Sequence, residues 1–261
     1  MKKLLLCICL IAVSALAHAY KDTYALIVAV ADYKSSSVPD LRYTVNDAEH
    51  FYDFLRSKKG GAVPSSNIVY LTGSSATKAN IISRGKSLFS RAGKDDRVIF
   101  FYSGHGDRGC FVPYDANSYG ENLLYFSEVK SIFKCSPSTT KLLFADACRA
   151  GSMKSFSSKK VQQNINRERK ASSSTNIAVM VACRGSEKSW EMDDLRQGIF
   201  TYYLIKGLGG AANADNNQYV TIKELYYYVY KRTRAKAAAE NRKQTPELFG
   251  DFDLRLIVAK K

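Results

Sequence analysis

Residues 97–106, Arg-Val-Ile-Phe-Phe-Tyr-Ser-Gly-His-Gly, join an apolar run to a histidine between two glycines. The segment 141–151, Lys-Leu-Leu-Phe-Ala-Asp-Ala-Cys-Arg-Ala-Gly, joins a second apolar run to a cysteine. Short apolar runs of this kind predict buried strands. Neighbouring strands of a parallel sheet would bring His105 and Cys148 to the same edge, where α/β proteins carry their active sites.

The pair formed by His105 and Cys148 has a direct chemical meaning. A thiol becomes a nucleophile when it loses its proton, and imidazole is the side chain that titrates near neutral pH. The two motifs therefore predict a cysteine hydrolase.

The rest of the chain alternates β-type runs with amphipathic helical stretches, which predicts an α/β fold with a largely parallel sheet. We expect strands at 24–31, 67–71, 98–102, 141–145, 177–182 and 254–258. We expect helices at 45–57, 77–91, 127–133, 198–208, and from a Thr221–Glu224 capping box to about residue 237.

Two segments differ from this pattern. Residues 1–19 have a basic start, an apolar stretch and a small-x-small end, which predicts a signal peptide and export of a soluble product to the periplasm or medium. The segment 152–175 is rich in serine and basic residues and predicts a surface loop. We interpret 20–261 as one domain, in which 152–175 separates 20–151 from 176–261.

The net charge of +15 and the cysteine content limit the classes of protein to which the chain can belong. The basic residues are concentrated in one loop and one helix without interleaved aromatic residues, so we expect a solvated face and no nucleic-acid function. The cysteines of 20–261 are too few for a disulfide scaffold, and we expect Cys110, Cys135 and Cys183 to be buried, with one disulfide among them left open.

These motifs resemble the caspase–metacaspase clan, in particular its bacterial-type and metacaspase-like members. The resemblance extends over nearly all of 20–261 through further strings: Ala31-Asp32-Tyr33, Asn46-Asp47-Ala48, Gly198-Ile199-Phe200-Thr201 and Gln244-Thr245-Pro246. It implies a three-layer α/β/α sandwich around a mostly parallel six-stranded sheet. It also implies a cysteine endopeptidase.

The resemblance assigns roles to the motif residues. Cys148 would attack the peptide carbonyl, and His105 would protonate the leaving amine and then activate water. The backbone N–H groups of Gly106 and Cys148 would form the oxyanion hole. One departure is Arg149-Ala150-Gly151 after the cysteine, where metacaspases commonly have Ser-Gly following one residue.

The resemblance also bears on specificity. Asp146 matches metacaspases, which cut after arginine or lysine, and Asp47 falls where that family has its other acidic pocket residue. Glu191 stands where caspases have the arginine of Ser-Trp-Arg. Together these carboxylates imply peptide or protein substrates with Arg or Lys before the scissile bond. Each has a simpler interpretation: Asp146 as a turn cap, Asp47 as a first-turn helix acid, and Glu191 as a surface charge.

The loop 152–175 predicts autoprocessing, because caspases are cut in the corresponding linker and basic residues suit a protease that cuts after them. An insertion without regulatory meaning is the alternative. The candidate cleavage residues are Lys154, Lys159, Lys160, Arg167, Arg169 and Lys170.

No cofactor is expected, and calcium dependence stays open. The candidates for calcium are Asp193-Asp194 and the turn 213–217, but neither has a full ligand pattern. The competing functions are a catalytically inactive caspase-like binding or regulatory module and an esterase or amidase. We expect no stable membrane anchor, and the oligomeric state is open.

Overall fold

The computed structural model describes residues 20–107, 109–147, 176–185 and 187–261. The main strands are β1 (Thr23–Ala29), β2 (Ile68–Thr72), β3 (Arg97–Ser103), β7 (Thr140–Asp146), β8 (Ala178–Val181) and β12 (Glu247–Phe249). The short strands are β4 (Gly106–Asp107), β5 (Cys110–Phe111), β6 (Leu124–Tyr125), β9 (Glu191–Met192), β10 (Gln197–Gly198), β11 (Tyr219–Thr221) and β13 (Ile257–Lys260). The α-helices of these residues are α1 (Thr44–Arg56), α2 (Lys78–Phe89), α3 (Phe126–Phe133), α4 (Ile199–Lys206) and α5 (Ile222–Ala239).

The main sheet has six strands in the order β12-β8-β7-β3-β1-β2. All neighbours are parallel except the edge strand β12, which runs antiparallel to β8. Every residue of the central strands β3 and β7 is buried, as expected for strands covered on both faces. Their register pairs Ser103 with Asp146, so both strands end at the same level of the sheet.

Helices cover both faces of this sheet and produce two separate cores. On one face, α2 and α3 pack against the sheet, and the ring centroids of Phe89 and Phe133 lie 5.2 Å apart. On the other face, α1, α4 and α5 pack against the sheet, and Phe51 stacks on Phe101 at 4.5 Å. The predicted three-layer α/β/α sandwich is therefore confirmed.

The sequence identified five of the six main strands but not the sixth. The terminal strand expected at 254–258 exists, but its bounds and its place are wrong: the strand is Ile257–Lys260, and it pairs with β11 in a separate two-stranded sheet. Leu254 is 51% exposed and lies within a turn closed by a hydrogen bond from Leu256 N–H to Asp253 O. The true edge strand has only three half-buried residues, too few for a clear alternation.

Two further properties concern the part of the chain that the structure describes. Cys110 and Cys183 are buried as expected, whereas Cys135 is only half-buried. Within the same residues, no helix has both the length and the apolar character needed to cross a bilayer.

Candidate active site

His105 follows the end of β3 and is held by the loop after β1. Its backbone N–H donates to Tyr33 Oη at 2.8 Å, and the two rings stack with centroids 5.2 Å apart. Tyr102 Oη donates to the carbonyls of His105 and Val112 at 2.9 and 2.7 Å. His105 Nε2 lies 2.7 Å from the carbonyl oxygen of Pro39. The side chain is thus fixed by neighbours on both sides.

The contact with Pro39 sets the state of the imidazole. A carbonyl oxygen only accepts hydrogen bonds, so Nε2 carries the proton and Nδ1 is the basic nitrogen of the neutral ring. Burial lowers the pKa of His105, opposed by the Pro39 carbonyl and by the charges of Glu191 and Asp40. The ring is therefore neutral at neutral pH and can accept a proton.

Asp146, the last residue of β7, is buried by contacts with the second half of the chain. Its Oδ2 accepts hydrogen bonds from Thr201 N–H at 3.1 Å and from Thr201 Oγ1 at 2.7 Å. Its Oδ1 accepts a short hydrogen bond from Ser189 Oγ. Asp146 therefore does more than cap a turn, because it joins the sheet edge to α4.

Asp47 lies in the first turn of α1 and is 1% exposed. Its Oδ2 accepts a hydrogen bond from Ser103 Oγ at 2.8 Å, and its Oδ1 accepts one from Gly198 N–H at 2.9 Å. A Cβ atom on Gly198 would lie 2.2 Å from Asp146 Oδ2 and 3.1 Å from Asp47 Oδ2. Glycine at 198 thus allows both carboxylates to approach the same backbone.

Burial and neighbouring carboxylates raise the proton affinity of both aspartates. Burial raises the pKa of Asp47 well above its usual value, and the charge of Asp146 raises it further. Burial also raises the pKa of Asp146, although the Ser189 and Thr201 hydrogen bonds oppose the shift. Two buried carboxylates side by side are costly when both are ionised, and a cation between them would offset this cost.

Glu191, in β9, is bound to the backbone that precedes α1. Its Oε1 accepts a hydrogen bond from Tyr43 N–H at 2.7 Å, and its Oε2 accepts one from Arg42 N–H at 3.1 Å. Glu191 is therefore not simply an exposed surface charge.

All three predicted acidic residues line one narrow pocket of about 50 Å³. His105 lines the same pocket. So does Thr44, whose buried Oγ1 has no hydrogen-bond partner in the described residues. Across those residues, no lysine or arginine forms an ion pair with Asp47, Asp146 or Glu191. The pocket therefore combines unpaired negative charge with a basic imidazole.

Several predicted residues cannot be placed in this geometry. Cys148 and the six candidate cleavage residues of the loop 152–175 lie outside the described residues. Gly106 begins β4, directly after His105, and pairs with Phe111. The oxyanion-hole role of Gly106 and Cys148 stays a prediction.

Sequence reasoning missed four residues that hold the site together: Pro39, Ser103, Ser189 and Thr201. Ser103, Ser189 and Thr201 belong to strings on which the family resemblance was based, but the sequence did not reveal which residues they contact. Pro39 acts through its backbone carbonyl, and a backbone contact leaves no residue-type signal.

The two calcium candidates are engaged in other contacts. Asp193 accepts hydrogen bonds from Arg42 Nη1 at 3.0 Å and from Tyr43 Oη at 2.9 Å, and Asp194 pairs with Lys236 at 2.7 Å. In the turn 213–217, Asp215 accepts hydrogen bonds from Asn217. The described ranges contain no group of three or more His, Cys, Asp or Glu side chains able to hold a metal ion.

The fold and the site define an α/β protein with an imidazole beside an acidic pocket at the carboxyl edge of its sheet. The caspase domain family model matches residues 22–254. The chain belongs to this family of cysteine-type peptidases, as its motifs predicted.

Individual relatives agree with this assignment. A probable protease from a Desulfuromonadales bacterium is 27% identical over 269 residues, a match that covers 88% of this chain and 32% of the relative. The chain thus spans about a third of that relative's length. Among solved structures, caspase-1 from Spodoptera frugiperda is 14% identical with a TM-score of 0.63, and the match covers 92% of this chain and 91% of the caspase. A Geobacter sulfurreducens protein is 17% identical with a TM-score of 0.58, covering 90% and 97% of the two chains. At these identities the two structures show a shared fold.

Proposed function

We propose that this protein is an exported, metacaspase-like cysteine endopeptidase that hydrolyses peptide bonds after arginine or lysine. The observation that carries the proposed specificity is the pocket of Asp47, Asp146 and Glu191. Among the described residues, these carboxylates accept hydrogen bonds only from backbone N–H groups and hydroxyls, so the negative charge of the pocket is left for a cationic ligand. The Thr44 hydroxyl, which has no hydrogen-bond partner in the same part of the chain, is a further acceptor for a guanidinium or ammonium group.

The proposed catalytic pair is supported by the register of the two central strands. Ser103 pairs with Asp146, and His105 and Cys148 each stand two residues farther along the chain. In this mechanism His105 Nδ1 takes the proton of the Cys148 thiol as Sγ attacks the peptide carbonyl carbon, and His105 then gives that proton to the leaving amine, which departs as the thioester forms. His105 then takes a proton from water, which hydrolyses the thioester and frees the thiol. Backbone N–H groups at Gly106 and Cys148 would stabilise the oxyanion.

A panel of fluorogenic peptides with Arg, Lys or Asp before the cleaved bond tests this function. We expect the wild type to cleave the Arg and Lys peptides and Cys148→Ala to cleave none of them. Cys135→Ala is the matched control, because it removes a half-buried thiol that lies before the start of β7, whereas the site lies at the end of that strand, and it should retain activity. Preference for the Asp peptide, or full activity of Cys148→Ala, would contradict the proposal. Hydrolysis of ester or non-peptide amide substrates alone would favour the esterase or amidase alternative.

Export and autoprocessing are parts of the same proposal. The pattern of residues 1–19 supports export to the periplasm or medium, and the basic residues of 152–175 support self-cleavage. Amino-terminal sequencing of the protein recovered outside the cytoplasm should give a chain that begins with Tyr20-Lys21-Asp22. A product that keeps residues 1–19 would argue against export by this route.

A further inference from the structure

The hairpin formed by β9 and β10 reaches across the molecule to the start of α1. Besides the two hydrogen bonds from Arg42 and Tyr43 to Glu191, Asp193 of the same hairpin contacts both side chains. A residue of the second half of the chain thus binds a segment of the first half, 149 positions away from Arg42.

Within the described ranges, the backbone N–H groups of Arg42 and Tyr43 have no acceptor other than Glu191. The first N–H groups of an α-helix have no acceptor within the helix, and Tyr43 at the N-cap provides no side-chain acceptor. A carboxylate at a helix N-terminus is also favoured by the helix dipole. Glu191 satisfies the N–H of the N-cap Tyr43 and that of Arg42, the residue before it, and each of its oxygens is occupied by one of the two.

The segment held by Glu191 also carries the partner of His105. Pro39, whose carbonyl accepts from His105 Nε2, lies three residues before Arg42. The segment 39–43 is fixed at two places. At residues 40 and 41, Tyr33 N–H donates to Asp40 Oδ1 at 3.0 Å and Leu41 N–H donates to Ala31 O at 3.0 Å. At residues 42 and 43, the backbone is fixed by Glu191.

We propose that Glu191 is a positioning residue that holds residues 39–43 in place, so that the Pro39 carbonyl keeps His105 in its reactive tautomer and orientation. Glu191 lines the pocket, but both of its oxygens are engaged by backbone N–H groups, so direct contact with the substrate side chain falls to Asp47 and Asp146. The positioning role rests on the proposed function in that His105 is the catalytic base.

Kinetics on an Arg peptide separate positioning from substrate binding. In Glu191→Gln the amide NH₂ faces a backbone N–H, and in Glu191→Asp the charge stays but the side chain is too short to reach both donors. Both should lower kcat about tenfold and change KM by less than about twofold. Asp194→Asn is the matched control and should behave as wild type. It removes a negative charge from the same hairpin, but Asp194 pairs with Lys236 and not with residues 39–43. A raised KM with unchanged kcat in Glu191→Gln would overturn the proposal.

Histidine NMR tests the same role without a substrate. Residues 20–261 contain only His50 and His105, and the exposed His50 serves as an internal reference. We expect the His105 pKa to fall in Glu191→Gln, because a nearby negative charge is lost and the Pro39 contact loosens, and to stay unchanged in Asp194→Asn. An unchanged His105 titration in Glu191→Gln would overturn the inference. If no peptide is cleaved but the titration shifts, the proposed function fails while the positioning role stands.

Discussion

At the scale of single residues, the pocket combines a stability cost with a binding function. Asp47 and Asp146 are held close together by hydrogen bonds to Ser103, Gly198 and Thr201, while burial and the charges of neighbouring carboxylates raise the pKa of both. The folded state therefore favours protonation of this pair more than the unfolded state does. Its stability rises as pH falls through the raised pKa and is lower where both groups are ionised. A cationic side chain between them would compensate the ionised pair.

Asp47→Asn tests whether the negative charge of the pocket lowers the stability of the protein and raises its affinity for a cationic side chain. The asparagine keeps an acceptor for Gly198 N–H and offers Ser103 Oγ a donor, so the fold should be retained. At pH 8 we expect Tm to rise by about 2–4 °C, because a destabilising buried charge is removed. For an Arg peptide, kcat/KM should fall about 100-fold, mainly through KM.

The control for Asp47→Asn is Glu49→Gln, which removes an exposed charge from the same helix and should change neither quantity. In the wild type, KM for the Arg peptide should rise as pH falls, starting above the range of an ordinary aspartate, because protonation removes the pocket's charge. A lower Tm together with an unchanged KM in Asp47→Asn would contradict the account.

At the scale of elements, the sequence predicted what depends on burial and missed what depends on backbone contacts. The fully buried strands β3 and β7 have continuous apolar runs, so their existence and the residues at their ends were readable. The edge strand β12 is short and half-buried, and its pairing with β8 left no pattern. The hairpin that brings Glu191 to Arg42 is set by tertiary packing, which explains why its role was predicted from resemblance alone.

At the scale of the whole molecule, the two halves of the chain share one sheet and both of the cores that flank it. Strand β7 precedes the segment 152–175 and β8 follows it, yet they pair side by side from Leu142 with Ala178 to Ala145 with Val181. Helices α4 and α5, from the second half, bury Phe200 and Leu225 in the same core as Phe51 of α1. Burial of this extent across the junction is typical of a single cooperative domain. A cut in the loop should therefore leave the two pieces associated.

This continuity gives the last prediction. Purified wild type should convert, on a denaturing gel, to two fragments whose masses place the cut after one of the six basic residues of the loop, while native chromatography keeps a single peak. Cys148→Ala should remain one band, and so should a variant with those six residues changed to glutamine, although that variant should still cleave an Arg peptide. Because the pocket lies where both halves meet, separation of the pieces would also remove the contacts of Asp146 with Thr201 and abolish activity. Two native peaks with full activity would contradict the association of the two pieces, and a cut in Cys148→Ala would contradict self-cleavage.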